Sequence, residues 1–195
     1  MARVPYLEPA DLPAEKRDAL DALSDDDEEG ETKDDGERAG IRNVYRAMAN
    51  NPTALEAFRA HGSTLWHEGG LSAVDREIVI RATARAANSR YEWHQHVRIA
   101  REEGISDEQI LAVSTGALDE LDPEHAAIVE YVGRFVDDEV DDEVHDRLAA
   151  HYDDEQLTGV AAIAGLYLGL ARLLQSLDVE VEAEETFVGW ELEDA

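Results

Sequence analysis

The stretch DREIVIRATARAANSRYEWHQHVRIA, from Asp75 to Ala100, decides the fold. Its apolar residues recur at helical spacing, and no strand-like alternation interrupts them. Ser72 is expected to cap a first helix that runs through DREIVIRATARAAN. A second helix is expected to start near Arg90 and to end at Gly104, since glycine commonly terminates helices. The stretch therefore predicts two consecutive helices.

Helical spacing also dominates the rest of the chain, with clear start signals. Asn51-Pro52 and Asp122-Pro123 place a good N-cap residue before a proline at the first helical position. Ser106 and Gln109 form a capping-box pattern. We expect an all-α fold of about seven or eight helices, which include Asp122 to Asp138, Asp141 to Tyr152 and about Asp154 to Leu177.

The two ends of the chain differ from its middle. A short helix is expected over about Pro9 to Leu23, followed by a solvated acidic loop over Ser24 to Gly40. We therefore predict an N-terminal extension (1–40), a helical domain (41–178) and an acidic tail (179–195). Phe187 and Trp190 in this tail are expected to anchor on a neighbouring subunit.

The most apolar segment is the one from about Asp154 to Leu177, which we expect to be a central or interface helix. Three glycines lie inside it, and each costs about 1 kcal/mol of helix stability relative to alanine. They therefore predict close helix–helix approach at Gly159, Gly165 and Gly169. No apolar run approaches the roughly 20 residues that span a bilayer.

Charge and composition exclude several classes of function. The chain has 17 basic and 46 acidic residues among 195, so the net charge is 17 − 46 = −29. This charge argues against nucleic acid or an anionic membrane as a partner. Because acidic residues occur along the whole chain and only Lys16 and Lys33 are lysines, we expect adaptation to a salt-filled, halophilic cytoplasm. Zero cysteine excludes thiol chemistry and thiolate metal sites.

Candidate chemistry is concentrated in the same decisive stretch. Glu92 and His96 are four residues apart, so both project from one face of a helix. Glu77 lies one helix earlier and could pack against that pair. Two carboxylates converging on an imidazole form a plausible acid–base device. The alternative is an exposed, solvated Glu–His pair.

DREIVI followed by YEWHQHVRIAREEGIS resembles the carboxymuconolactone decarboxylase family, within the alkylhydroperoxidase D-like helical superfamily. The resemblance covers Leu71 to Ala117 closely and Ile41 to Leu177 loosely. It implies an alkylhydroperoxidase D-like fold and a homo-oligomer, a trimer or a hexamer. A monomer in molar KCl would contradict the oligomer expectation.

The peroxidase branch of that superfamily uses a Cys-x-x-Cys pair with a histidine and an upstream glutamate. Aligning His96 with that histidine puts Glu92 and Ser89 at the two cysteine positions and Glu77 at the glutamate. Both thiols are therefore missing, and an alkylhydroperoxide reductase activity is not expected. A peroxidase or antioxidant role inherited from the family is the least favoured alternative.

The decarboxylase branch matches better, because it carries Glu-x-x-x-His, here Glu92 and His96. The resemblance implies a cofactor-free lyase or isomerase that acts on a small carboxylated lactone or keto acid. His96 would be the acid/base, Glu92 its partner and Glu77 a supporting carboxylate. The other hypothesis is a catalytically silent binding or structural member of the family.

An anionic substrate needs a cation, since a guanidinium holds a carboxylate bidentately. The local candidates are Arg76, Arg81 and Arg98, although Arg76 could instead form an ion pair that joins two helices. Trp93 is expected to be a packing residue, with lining of a substrate pocket as the alternative.

The remaining histidines are weaker candidates. His61 and His67 could reach the site or simply solvate a helix end, and His94 is expected to be exposed. No role is assigned to His125, His145 and His151. Glu77, Glu92, His96 and one of His61, His67 or His94 offer metal-ligand chemistry, but no second histidine stands at helical ligand spacing from His96. We expect neither a metal nor a cofactor.

Overall fold

The computed structural model of the chain describes residues 1–20 and 41–192, and within these ranges every regular element is helical. Single 3-10 turns occupy Pro9–Asp11, Ala14–Lys16 and Leu118–Glu120. The predicted all-α class is confirmed. The α-helices are α1 (Asn43–Met48), α2 (Pro52–Glu68), α3 (Ala73–Ala86), α4 (Arg90–Glu102), α5 (Asp107–Thr115), α6 (Pro123–Val136), α7 (Asp142–Ala149) and α8 (Asp154–Leu177).

The chain divides into two compact units. The first unit comprises Met1–Gly62 and Ser176–Glu185, and the second comprises Ser63–Gln175 and Thr186–Ala195. The stretch from Asp75 to Ala100 lies entirely in the second unit. The three-part division that the sequence predicts (1–40, 41–178 and 179–195) stays a prediction.

In the first unit, the N-terminal part of the chain contacts the last residue of α8 and the segment that follows it. The Arg3 backbone N–H donates to the Leu177 carbonyl at 2.7 Å, and the Arg42 guanidinium lies 2.8 Å from the Glu185 carboxylate. The helix predicted over Pro9 to Leu23 is wrong as a single helix. Two 3-10 turns precede helical residues 18–20, because Pro13 lacks a donor N–H and interrupts the helix. Residues 21–23 and the predicted loop, Ser24 to Gly40, lie outside the described residues.

In the second unit, α3 is the central helix. Nine consecutive residues, from Arg76 to Ala84, are buried, and α3 packs against α4, α5 and α6. A helix buried on all sides belongs to the middle of a core. Its apolar neighbours include Trp93 and Val97 of α4 and Ile128 and Val132 of α6. The polar side chains between Arg76 and Ala84 are consequently shielded from water.

Most predicted helix starts are confirmed at the level of hydrogen bonds. The Ser72 hydroxyl accepts the Asp75 backbone N–H at 3.1 Å, and Ser106 forms the predicted capping box with Gln109. Asn51 accepts the Ala54 N–H at 3.2 Å. The exception is Asp122, which precedes α6 but makes no side-chain capping bond.

The three glycines of α8 have different surroundings. At Gly159 an added Cβ would overlap the backbone carbonyl oxygen of Gly69, which confirms close backbone approach. At Gly165 the nearest atom would belong to the Phe135 ring, 3.8 Å away. A Cβ added at Gly169 would lie more than 4 Å from every atom of the other described elements. The close approach predicted at Gly169 is therefore wrong within the chain.

Helix α8 is the one helix of the described residues that is long and apolar enough to cross a membrane by length and composition. Its most apolar stretch has a mean hydropathy of 1.7, and 39% of that stretch is buried. This finding departs from the expectation that no stretch of the chain reaches the required length. Core helices of soluble proteins meet the same criterion.

We predict that Gly159→Ala lowers the free energy of unfolding by about 1–3 kcal/mol, the usual cost of overpacking. The reason is the backbone of Gly69, which cannot retreat as a flexible side chain could. Gly169→Ala is the matched control on the same helix. There the stability should be unchanged or rise by up to about 1 kcal/mol. Denaturant unfolding in molar KCl measures both, and equal effects of the two substitutions would contradict the packing argument.

Candidate active site

The centre of the site is the His96 imidazole, held between two carboxylates. Nδ1 of His96 lies 3.1 Å from Oε2 and 3.3 Å from Oε1 of Glu77. Nε2 of His96 lies 3.7 Å from Oε2 of Glu92. Since a carboxylate can only accept here, Nδ1 carries a hydrogen and donates it to Glu77. The structure thus brings the three predicted acid–base residues together.

These three side chains are shielded from solvent. The exposed fractions are 0% for Glu77, 4% for Glu92 and 3% for His96. The alternative of an exposed, solvated Glu–His pair is therefore wrong. Two nearby negative charges in a weakly solvated site stabilise the protonated imidazolium over the neutral ring. An imidazole held in this way can release a proton to a ligand and take one back.

Two aromatic side chains, which the sequence did not mark as functional, border the imidazole. The Tyr167 ring meets His96 edge-on at 5.2 Å, and the Trp66 ring is tilted against it at 6.3 Å. Both residues are partly buried. Helical spacing identified Tyr167 only as an apolar position of α8, and no sequence signal marked Trp66. Their rings give the site an apolar rim.

Arg81 is the most deeply buried of the predicted substrate-binding arginines, with 0% exposure. Its Nε–H donates to the Glu77 backbone carbonyl at 3.2 Å. Burial lowers the pKa of Arg81 to about 10, and the Glu77 charge opposes this shift. Arg81 is therefore a cation at neutral pH. Neither terminal nitrogen has a hydrogen-bond partner among the described residues.

Arg76 and Arg98 have other partners. The Arg76 guanidinium lies 3.8 Å from the centroid of the Trp66 ring and donates to the Trp66 carbonyl at 3.1 Å. Arg98 donates to Glu102 at 3.0 Å on a more exposed part of α4. The predicted Arg76 ion pair between helices is a long one, 3.9 Å to Glu103.

Trp93 is buried against the C-terminal segment of its own chain. Its Nε1–H donates to the Gly189 carbonyl at 3.3 Å, and its ring centroid lies 5.2 Å from that of Trp190. The Arg90 guanidinium lies 4.2 Å from the centroid of the Phe187 ring. These contacts support the packing interpretation of Trp93. They also put Phe187 and Trp190 on α4 of the same chain, in place of the neighbouring subunit that the sequence suggested.

The other histidines differ in how far their side chains are buried. His61, His67, His145 and His151 are exposed. His94, predicted to be exposed, is partly buried because its Nδ1 accepts the Val188 backbone N–H at 3.0 Å. No group of three or more histidine, aspartate or glutamate side chains within residues 1–20 and 41–192 could hold a metal ion.

A second polar cluster, which the sequence did not predict, surrounds Asp75 at the start of α3. The Tyr152 and Ser72 hydroxyls donate to the Asp75 carboxylate at 2.7 and 2.6 Å. His125 Nε2 lies 3.5 Å from the same carboxylate. The cluster borders an open cavity of about 380 Å³, whose lining includes Glu124 and His151 as well.

These contacts lower the pKa of Asp75 and raise the pKa values of His125 and Tyr152. Burial opposes ionisation of Asp75, but hydrogen bonds from His125, Ser72 and Tyr152 bring its pKa below the ordinary value. The hydrogen bond to Asp75 raises the pKa of His125, while burial works against that rise. Burial and the Asp75 bond both raise the pKa of Tyr152. Asp75 and His125 therefore form an ion pair at mildly acidic pH.

The protein has the predicted alkylhydroperoxidase D-like helical fold, which it shares with several solved structures. A peroxidase-related protein from Ralstonia eutropha with an alkylhydroperoxidase AhpD core is 22% identical, with a TM-score of 0.77 over 94% of this chain and 93% of that chain. A peroxidase-related protein from Silicibacter sp. is 18% identical, with a TM-score of 0.73 over 93% and 91%. The debrominase Bmp8 in complex with 2,3,4-tribromopyrrole is 18% identical, with a TM-score of 0.72 over 92% and 91%.

A sequence comparison agrees with these structural similarities. Residues 52–127 match the Carboxymuconolactone decarboxylase family, a segment that contains Glu77, Glu92 and His96. The predicted resemblance to this family is therefore confirmed over that segment. No functionally curated protein matches the chain.

The Asp75–His125 pair predicts a pH dependence of stability. Folding raises the pKa of His125 above its ordinary value of 6.5. The contribution of His125 to the free energy of unfolding is therefore complete below pH 6.5, and it is lost as pH rises through the folded-state pKa. The contribution of Asp75 is present above 3.8 and is lost as pH falls through its lowered value. We expect His125→Gln to lower the free energy of unfolding most between pH 3.8 and pH 6.5, where both the Asp75 carboxylate and the His125 imidazolium are charged.

Denaturant unfolding of wild type and His125→Gln at several pH values measures this effect. The stability difference should shrink as pH rises above 6.5 and through the raised pKa of His125, because the wild-type imidazolium then loses its proton. His145→Gln, at an exposed position of α7, is the control and should show no such trend. A difference that is constant with pH would contradict the ion pair.

Proposed function

We propose that the protein is a cofactor-free acid–base lyase or isomerase that acts on a small carboxylated lactone or keto acid. The observation that carries the proposal is the buried His96 imidazole, whose Nδ1 is held by Glu77 at 3.1 Å while Nε2 lies toward Glu92. Glu77 orients the ring and balances its charge. Nε2 is then the atom that exchanges a proton with the substrate.

The chemistry is proton transfer at a carbon beside a carbonyl or enol. For loss of carbon dioxide, the bond between that carbon and the carboxylate breaks, and its electron pair forms an enolate. The His96 imidazolium then gives its Nε2 proton to the carbon, and a proton from water restores the imidazolium. For isomerisation, Glu92 or neutral His96 removes a proton from one carbon and His96 returns one at another. Neither sequence consumes an oxidant or a reductant.

The apolar rim supports a flat, unsaturated substrate. Trp66 and Tyr167 lie on two sides of the imidazole, and aromatic rings pack well against planar ligands. The acid group would be held by one of the predicted arginines, Arg76, Arg81 or Arg98, since a guanidinium matches a carboxylate in shape and charge.

A second candidate function is a silent binding or structural role. It is favoured by the mutual satisfaction of Glu77 and His96, because a buried hydrogen-bonded pair also serves as core structure. A thiol peroxidase role is disfavoured, since the sequence contains no cysteine. Such chemistry would need two electrons from a bound co-reductant.

We also propose that the protein works in a salt-filled cytoplasm and forms a homo-oligomer, a trimer or hexamer. The net charge of −29 supports the first point, and the partly exposed apolar residues of α8 support the second. Neither nucleic acid nor membrane is proposed as a partner, because so negative a chain repels other polyanions.

Carbon dioxide release from a panel of carboxylated lactones and β-keto acids, in molar KCl, tests the proposed activity. We expect turnover by the wild type and a loss of about 10²–10⁴-fold in His96→Ala, the usual contribution of a general acid–base group. Glu77→Gln should lower turnover as well, because Nδ1 loses its carboxylate partner.

His145→Ala is the matched control, because this residue is exposed on α7 and distant in sequence from the site. It should leave turnover unchanged. Equal turnover in wild type and His96→Ala would remove His96 from the mechanism. A folded wild type that turns over no member of the panel would favour the silent role.

A further inference from the structure

Arg81 is a buried cation whose terminal nitrogens lack hydrogen-bond acceptors among the described residues. Its side chain is 0% exposed, and Nε is the one guanidinium nitrogen with a hydrogen bond, to the Glu77 carbonyl. The terminal nitrogens have no partner among the described residues. Buried N–H groups of a cation that have lost their water without gaining an acceptor destabilise the fold.

The carboxylate whose charge acts on Arg81 is that of Glu77. This carboxylate already accepts from Nδ1 of His96 with both oxygens, at 3.1 and 3.3 Å. Nε2 of the same imidazole lies 3.7 Å from Glu92, so two carboxylates balance the charges of the imidazolium and the guanidinium. The terminal N–H groups of Arg81 nevertheless lack acceptors among the described residues, and a small carboxylate would supply two of them.

We infer that Arg81 is an internal binding site for a small carboxylate, held by its two terminal nitrogens. A planar carboxylate places one oxygen on each nitrogen, whereas a spherical halide has no matching pair of acceptor atoms. This inference deepens the proposed function and rests on it in one respect, since it names the residue that would hold the acid end of the substrate. The binding itself requires no turnover.

Thermal unfolding with formate as the probe tests the site. Potassium concentration and ionic strength are held constant while formate replaces a bulky organic sulfonate. In the wild type the unfolding temperature should rise with saturation, by about 3 to 6 °C at a tenfold excess over the dissociation constant. Chloride in place of formate should give a weaker response, which distinguishes a carboxylate site from a general halide site.

Arg81→Met removes the charge and keeps much of the side-chain length. It should lose the formate response and, in sulfonate buffer, be at least as stable as the wild type. Arg134→Met is the control, because Arg134 is exposed and paired with Glu139, and it should keep the full response. If Arg81→Met does not fold, Arg81→Lys retains the charge and should bind formate more weakly than the wild type.

A wild type without a saturable formate response would overturn the inference, as would an Arg81 variant that responds like the wild type. His96→Ala separates this result from the proposed activity. It should keep the formate response, because Arg81 is intact, whether or not His96 proves to be catalytic.

Discussion

The burial of charge in α3 is the constraint on which the site depends. Nine consecutive residues of this helix are shielded from solvent, and they include Arg76, Glu77 and Arg81. In such surroundings a charge must find a partner or destabilise the fold. The Glu77–His96 contact between α3 and α4 meets this requirement for Glu77. It also fixes the orientation of the imidazole, so one interaction serves both the packing and the proposed chemistry.

The position of α4 follows from two sets of contacts on different sides of the helix. On one side, His96 contacts the Glu77 carboxylate of α3 and the rings of Trp66 and Tyr167. On the other, Trp93 and His94 bind the C-terminal segment through Gly189 and Val188. A helix held from two sides has little freedom to rotate. Little rotation is what a proton-transfer site needs, since a proton moves only over hydrogen-bond distance.

Local sequence signals predicted much of this arrangement. Helix periodicity and caps located α3 to α8, and the i, i+4 spacing put Glu92 and His96 on one face, because these features depend on neighbouring residues. Trp66, Tyr167 and the Asp75–His125 pair were missed, because they join residues far apart in the chain. The contacts of Phe187 and Trp190 with α4 were missed for the same reason, because their partners lie about 100 residues earlier in the chain. Pro13 was a local signal that the prediction of a single N-terminal helix did not take into account.

The fold hosts more than one chemistry, since proteins described as peroxidase-related and as a debrominase share it at 18–22% identity. In this chain the position that the resemblance gives to the second thiol holds Glu92. Ser89, at the position of the first, is buried, and its hydroxyl has no hydrogen-bond partner among the described residues. A carboxylate and a hydroxyl cannot cycle between thiol and disulfide, which agrees with the proposed proton-transfer chemistry.

The protonation of the His96 imidazole is the most direct test of this account. Nitrogen-15 NMR of histidine-labelled protein in molar KCl, with His96 assigned by its loss in His96→Gln, reports the proton on each ring nitrogen. The account predicts a protonated Nδ1 whose signal shifts markedly in Glu77→Gln. A bare Nδ1 in the wild type, or a signal that Glu77→Gln leaves unchanged, would contradict it.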